Sequence, residues 1–167
     1  AVRNNIKKYN PAAQIIDAYS LITVTTPSQI KGKRVLVVED GPTLTHGGMS
    51  FGAGTIAAKS HRARIVDPHP FLTGSLKRVF SQYPHLGKIV PAMGYSKSQV
   101  KELETVINSV PCDAVICGTP IDLRKILKAN KPIVRIRYEL EEIGRPDLEG
   151  IIKKFLSSST TPRHQSP

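Results

Sequence analysis

The sequence predicts an α/β fold: a Rossmann-like parallel sheet with helices on both faces. Three observations carry this. Short apolar runs bounded by charge, Arg34–Val38 and Ala114–Cys117, suit strands buried on both sides. Segments with helix caps and a 3.6-residue apolar period separate those runs. The 167 residues are 40% hydrophobic and 22% charged, which excludes wholesale disorder. A chain of this length buries about 68–70% of its unfolded surface and needs no metal or disulfide to hold a core.

Along the chain, Val2–Tyr9 predicts a helix closed by Asn10-Pro11. Gln14–Ala18 and Leu21–Val24 read as extended pieces ending in a polar turn at Thr25–Ser28. After the Arg34–Val38 strand comes a Gly-rich loop and a helix near Thr55–Ser60. Arg64–Val66 is a short strand stopped by Asp67-Pro68, Gly74–Gln82 is helical, and Lys88–Val90 is a strand ending at Pro91. Ser96 can cap the next helix with Gln99 at the capping-box position, and Val100, Leu103, Ile107 and Val110 share one face. After Ala114–Cys117, Thr119-Pro120-Ile121-Asp122 supplies a cap, a proline at the first helical position and a first-turn acid. They predict a helix ended by Asn130-Lys131-Pro132. Ile133–Tyr138 is the last strand and Pro146–Leu156 a final helix. Residues 157–167 lack apolar side chains and read as a disordered tail.

Charge is the unusual quantity. Lys and Arg number 24 against 13 Asp and Glu, a formal +11. Such an excess favours an anionic partner. The basic residues are spread along the chain and only 5% of residues are aromatic, too few for a base-stacking platform. A phosphorylated small molecule is therefore expected, and nucleic acid is not. No apolar run has the ~18 residues of a membrane span, and no signal peptide is visible. Cys112 and Cys117 are too few for a secreted disulfide framework, so the expected compartment is the cytoplasm. The histidines at 46, 61, 69 and 85 lack metal-ligand spacing, and no C-x-x-C, Walker A, G-x-G-x-x-G or G-x-S-x-G motif occurs.

Sheets of this class bind ligands at the carboxyl ends of their strands. After the 34–38 strand, five glycines lie within the stretch 41–54. Glycine lets a backbone approach a ligand and aim several N–H groups at one anion. Thr43, Thr45, Gly47 and Gly48 are the expected phosphate contacts there, with His46 as the candidate catalytic residue, a phosphate contact or proton donor. Glu39 and Asp40 are candidates to hold a cation bridging to phosphate. Gly94 and Thr119 lie at two further strand ends, and Arg137 near a third, where it can reach an anion or simply mark an open edge face.

Taken together, these loops resemble one family. Val35-Leu36-Val37-Val38-Glu39-Asp40-Gly41-Pro42-Thr43-Leu44-Thr45-His46-Gly47-Gly48-Met49 with Gly52-Ala53-Gly54 resembles the signature of cyclic 2,3-diphosphoglycerate synthetase and related predicted P-loop GTPases. So do Ile65-Val66-Asp67-Pro68, Pro91-Ala92-Met93-Gly94-Tyr95, Gly118-Thr119-Pro120-Ile121-Asp122-Leu123-Arg124 and Arg135-Ile136-Arg137-Tyr138-Glu139-Leu140. His69 stands where the family often has Arg, and Phe51 where it has Tyr.

The resemblance covers the carboxyl-terminal part of a longer protein. It implies that the P-loop and the base-reading motif, with ATP or GTP and Mg, belong to an amino-terminal nucleotide domain upstream. Residues 1–26 are then a remnant of that domain, and 27–156 the carboxyl-terminal α/β domain. Two functions are implied. One is binding a phosphorylated substrate for ATP-dependent phosphoanhydride ring closure. The other is a regulatory or interaction domain of a GTPase, inactive in isolation. If residues 1–26 lack their native sheet, Ile15, Ile16, Leu21 and Ile22 should pack at an edge or drive formation of a homodimer.

Overall fold

A strand buried on both faces anchors the architecture. In the computed structural model, which describes residues 1–94 and 96–159, β2 spans Arg34–Asp40, and Val35 to Glu39 are all buried. Successive side chains point to opposite faces, so both faces of β2 are covered. β5 (Ala114–Gly118) is buried throughout. The remaining strands are β1 (Ala18–Val24), β3 (Arg64–Ile65), β4 (Val90–Ala92) and β6 (Ile133–Glu142). Strand order is β1-β6-β5-β2-β3, with β4 also paired to β2.

The expected parallel register holds at the centre. Val35 to Glu39 pair in step with Ala114 to Gly118, Arg34 with Arg64, Val38 with Val90, and Ile116 with Val134. β3 and β4 share one side of β2, β3 at its start and β4 at its end. Pro91 is tolerated within β4 because that strand pairs only with β2. One pairing departs from a purely parallel sheet. Thr25 N donates to Arg135 O (3.1 Å) and Ile143 N to Asp17 O (2.8 Å), an antiparallel register of β1 with β6.

The helices are α1 (Val2–Tyr9), α2 (Gly41–Thr45), α3 (Ala53–Ser60), α4 (Gly74–Gln82), α5 (Lys97–Ser109) and α6 (Leu148–Ser159). In α5, Ser96 Oγ accepts from Gln99 N (3.3 Å), and Leu103, Val106 and Ile107 are buried. The helix expected from Thr119 to Asn130 is absent. Thr119 Oγ1 accepts from Ile121 N (3.0 Å), a local turn that competes with a helical start. Only a 3-10 turn, Leu123–Lys125, forms there, capped by Asp122, which accepts from Arg124 N (3.2 Å). Residues 157–159 continue α6, and the remainder of the expected tail lies outside the described residues.

The chain forms two compact units. Ile22–Tyr138 is one, and among the described residues it contains every buried apolar one, from Ile30 to Ile136. Ala1–Leu21 with the described residues from Glu139 onward is the other, and none of its described side chains is buried. Among the described residues, no helix is long and apolar enough to cross a membrane.

Candidate strand-end site

Glu39 is the organising residue of the strand ends. It lies one residue before the end of β2 and is 2% exposed. Its Oε1 accepts from Gly52 N (3.1 Å), Thr55 N (2.7 Å) and Thr55 Oγ1 (3.0 Å), and its Oε2 from Gly54 N (3.2 Å). Burial pushes its carboxyl above the usual range, while these donors pull it down less. The N-terminus of α3, where sequence reasoning expects an anion, already holds this carboxylate. The surrounding glycines follow from that. A Cβ on Gly118 would lie 2.1 Å from Glu39 Oε2, and one on Gly52 would lie 2.7 Å from the same atom.

Both carboxylates proposed to hold a cation accept hydrogen bonds from the protein itself. Asp40 caps α2, its Oδ2 accepting from Thr43 N (3.2 Å) and Thr43 Oγ1 (2.7 Å). Among the described residues no three His, Cys, Asp or Glu gather as a ready-made metal site.

The loop after β2 packs against the loop after β4. A Cβ on Gly41 would meet Ala92 O at 2.4 Å, and Thr45 Oγ1 lies 4.0 Å from Met93 Sδ. Thr45 is buried and donates to Gly41 O (2.9 Å). A hydroxyl has one proton, so His46 Nδ1, 3.0 Å from the same oxygen, acts as donor to it. With Nδ1 donating, His46 Nε2 carries a lone pair that can accept a proton. His46, Gly47, Gly48, Met49, Ser50 and Phe51 are all exposed. Gly48 has φ +63° and open space around it, whereas a Cβ on Gly47 would sit 2.5 Å from Thr43 O.

Of the other expected contacts, Gly94 is exposed with φ +60°, beside the Gln99 side chain, and Thr119 is buried in its own turn. Arg137 is exposed on β6. The arginine that reaches a strand-end loop is Arg135, which strand alternation places on the same face as Arg137. Its Nη2 donates to Pro120 O (3.1 Å), its Nη1 lies 3.8 Å from Asp122 Oδ2, and its buried Nε has no hydrogen-bond partner among the described residues. Asp122 was read as a helix acid. It is instead clamped by Arg124, with Nε at 2.9 Å and Nη2 at 2.7 Å, and its carboxyl falls to about 2. The one cue for this clamp is the Asp122-x-Arg124 spacing. Burial pushes both thiols up, so neither Cys112 nor Cys117 is an activated nucleophile.

The chain is similar to a known synthetase over nearly its whole length. It is 56% identical over 155 residues to arginine synthetase ArcE of Thermococcus kodakarensis, covering 92% of this chain and 35% of that protein. The chain thus spans about a third of the length of the curated relative that it matches. The likeness is to a portion of a synthetase, as the sequence resemblance implied at the coarser level. The relative's name states arginine formation and not ring closure of diphosphoglycerate. No family model matches the chain, and no solved structure matches it.

Proposed function

We propose that this chain is the strand-end substrate domain of an arginine-forming synthetase of the ArcE kind. The observation that carries the reading is the 56% identity running through 92% of the chain. A match of 155 residues at that level supports a shared fold and related chemistry. The parallel strands bring the loops after β2, β4 and β5 to one end of the sheet, where α/β sheets hold ligands. Glu39 fixes the start of α3, leaving the exposed stretch from His46 to Phe51 to meet substrate. In this reading a phosphoryl group uses that stretch and not the Gly52, Gly54 and Thr55 N–H groups, which Glu39 already occupies. His46 Nε2 is the proton acceptor. In this reading the nucleoside triphosphate that a synthetase consumes, and the Mg that accompanies it, would be held by the part of ArcE that this chain does not match.

A second reading rests on the strand-end motifs that resemble cyclic 2,3-diphosphoglycerate synthetase. There the same surface holds the diphosphoglycerate while ATP drives closure of the phosphoanhydride ring. The two are separated by growth. A chimera in which this chain replaces the matched 155 residues of ArcE is expected to restore an arginine-requiring strain that ArcE restores. A chimera that is expressed and folded yet fails to support growth counts against the arginine reading.

A further inference from the structure

A basic groove lies between the amino-terminal half of α5 and the segment after β5. It is lined by Lys97, Lys101 and Glu104 on one side, by Arg124, Lys125 and Lys128 on the other, and by Val100, Ile126 and Leu127. Five cations face one acid. All five are exposed, so the arrangement is not a by-product of core packing. Two of them are already neutralised locally: Lys101 pairs with Glu104 (2.6 Å) and Arg124 with Asp122 (2.7 Å). Glu104 is spent twice, since its Oε2 also accepts from Lys128 N (2.7 Å). Lys97, Lys125 and Lys128 have no ion pair among the described residues. Lys97 and Lys101 are four apart on one helix and share a face, as do Lys125 and Lys128 in the opposite wall through their common groove. Three unpaired ammonium groups converging on one concavity repel one another, and an anion relieves that repulsion.

The apolar lining narrows the ligand. Ile126 is 37% exposed, beside Val100 and the buried Leu127. A bare anion gains nothing from covering it, whereas a ligand with both a polyphosphate and a flat apolar body does. No aromatic residue lines the groove, so a nucleic-acid strand has no stacking platform.

We propose that the groove formed by Lys97, Lys101, Arg124, Lys125 and Lys128 is a binding site for a nucleoside polyphosphate. Its phosphates lie among the unpaired lysines and its base covers Val100 and Ile126. The site is separate from the loop after β2, and it does not depend on the arginine-forming reading. It fits a nucleotide that regulates the protein.

The test is a titration of the full chain with ATP, inorganic tripolyphosphate and an RNA oligonucleotide, followed by backbone amide NMR. Three proteins are compared: the natural chain, Lys97→Ala/Lys125→Ala/Lys128→Ala, and a control of equal charge loss, Lys7→Ala/Lys31→Ala/Lys77→Ala. All six lysines are exposed, so both variants should fold. The expected result is ATP-induced shifts at Lys97–Lys101 and Arg124–Lys128, with ATP binding tighter than tripolyphosphate. The groove variant should weaken ATP by about tenfold or more, and the control should leave it nearly unchanged. Shifts scattered over surface lysines, or equal weakening by the control, would mean diffuse charge attraction and overturn the site. Tripolyphosphate matching ATP would overturn the nucleotide assignment, and RNA binding the same amides more tightly than ATP would replace it with a nucleic-acid surface.

Discussion

Glu39 accepts both the backbone N–H and the hydroxyl of Thr55 on a single oxygen, at 2.7 and 3.0 Å, so the end of β2 and the start of α3 are joined through one buried carboxylate. Glu39→Ala removes the acceptor for three N–H groups and a hydroxyl and leaves a cavity. The expected loss is about 3–5 kcal/mol, read as a lowered urea midpoint. Glu39→Gln keeps one acceptor oxygen and should lose less than the alanine variant. An alanine variant as stable as the natural chain would remove Glu39 from its organising role.

Substitution of the nearby glycines should separate two kinds of constraint. Gly118→Ala places a Cβ 2.1 Å from Glu39 Oε2 and 2.9 Å from Gly54 N, and Gly47→Ala places one 2.5 Å from Thr43 O. Each should cost about 1–3 kcal/mol through overpacking. Gly48→Ala meets no atom within 4 Å but must hold φ +63°, so about 1 kcal/mol is expected. Gly48→Asn should recover part of that loss, and Gly47→Asn should recover none. Thermal melts of the five variants check the ordering.

Asp122 sets part of the acid limb. Its carboxyl falls from 3.8 to about 2, first through its hydrogen bonds from Arg124, then through that residue's charge and the charge of Arg135. A depressed acid contributes stability above its ordinary value and loses it as pH falls through the folded one, here from about 4 toward 2. Glu39, raised by burial, has the opposite sign, and its contribution declines as pH rises through 4.5 and above. Asp122→Asn should therefore melt lower than the natural chain at pH 6, with a shallower fall between pH 4 and 2. Parallel melting curves over that interval would contradict the clamp.

Much of the architecture was legible because burial on both faces leaves a plain record. Val35-Leu36-Val37-Val38 and Ala114-Val115-Ile116-Cys117 are unbroken apolar runs, and both are central parallel strands. The cap at Ser96 was legible for the same reason, since it is a local bond within four residues. The segment after β5 was misread because Thr119, Pro120 and Asp122 satisfy helix-start rules, while Thr119 closes a local turn with Ile121 N and the approach of Arg135 to Asp122 is decided by tertiary placement. The hydrogen bonds that Glu39 makes to the start of α3 were not legible, on similar grounds. Its partners, Gly52, Gly54 and Thr55, are 13 to 16 residues away, and nothing local distinguishes a carboxylate facing a cation from one facing a helix start.

The unit built from Ala1–Leu21 and the residues from Glu139 onward has no buried side chain among those described, yet Tyr9, Leu140 and Ile152 are 77%, 79% and 47% exposed. Surface of this kind calls for cover. In the isolated chain a second copy is the available cover, so concentration-dependent dimerisation is expected in sedimentation velocity. Leu140→Lys/Ile152→Lys should shift the protein to monomer without lowering its melting temperature. A natural chain that stays monomeric at high concentration would contradict self-association through this unit.

The most direct test of the synthetase reading is product analysis with the ArcE chimera that carries this chain in place of the matched 155 residues. The purified chimera is supplied with ATP and, in separate reactions, with the substrates of ArcE or with 2,3-diphosphoglycerate, and the products are identified by mass spectrometry. The expected result is arginine in the first reaction, its yield strongly reduced by His46→Ala, and no cyclic anhydride in the second. A folded chimera that closes the diphosphoglycerate ring and forms no arginine would contradict the proposal.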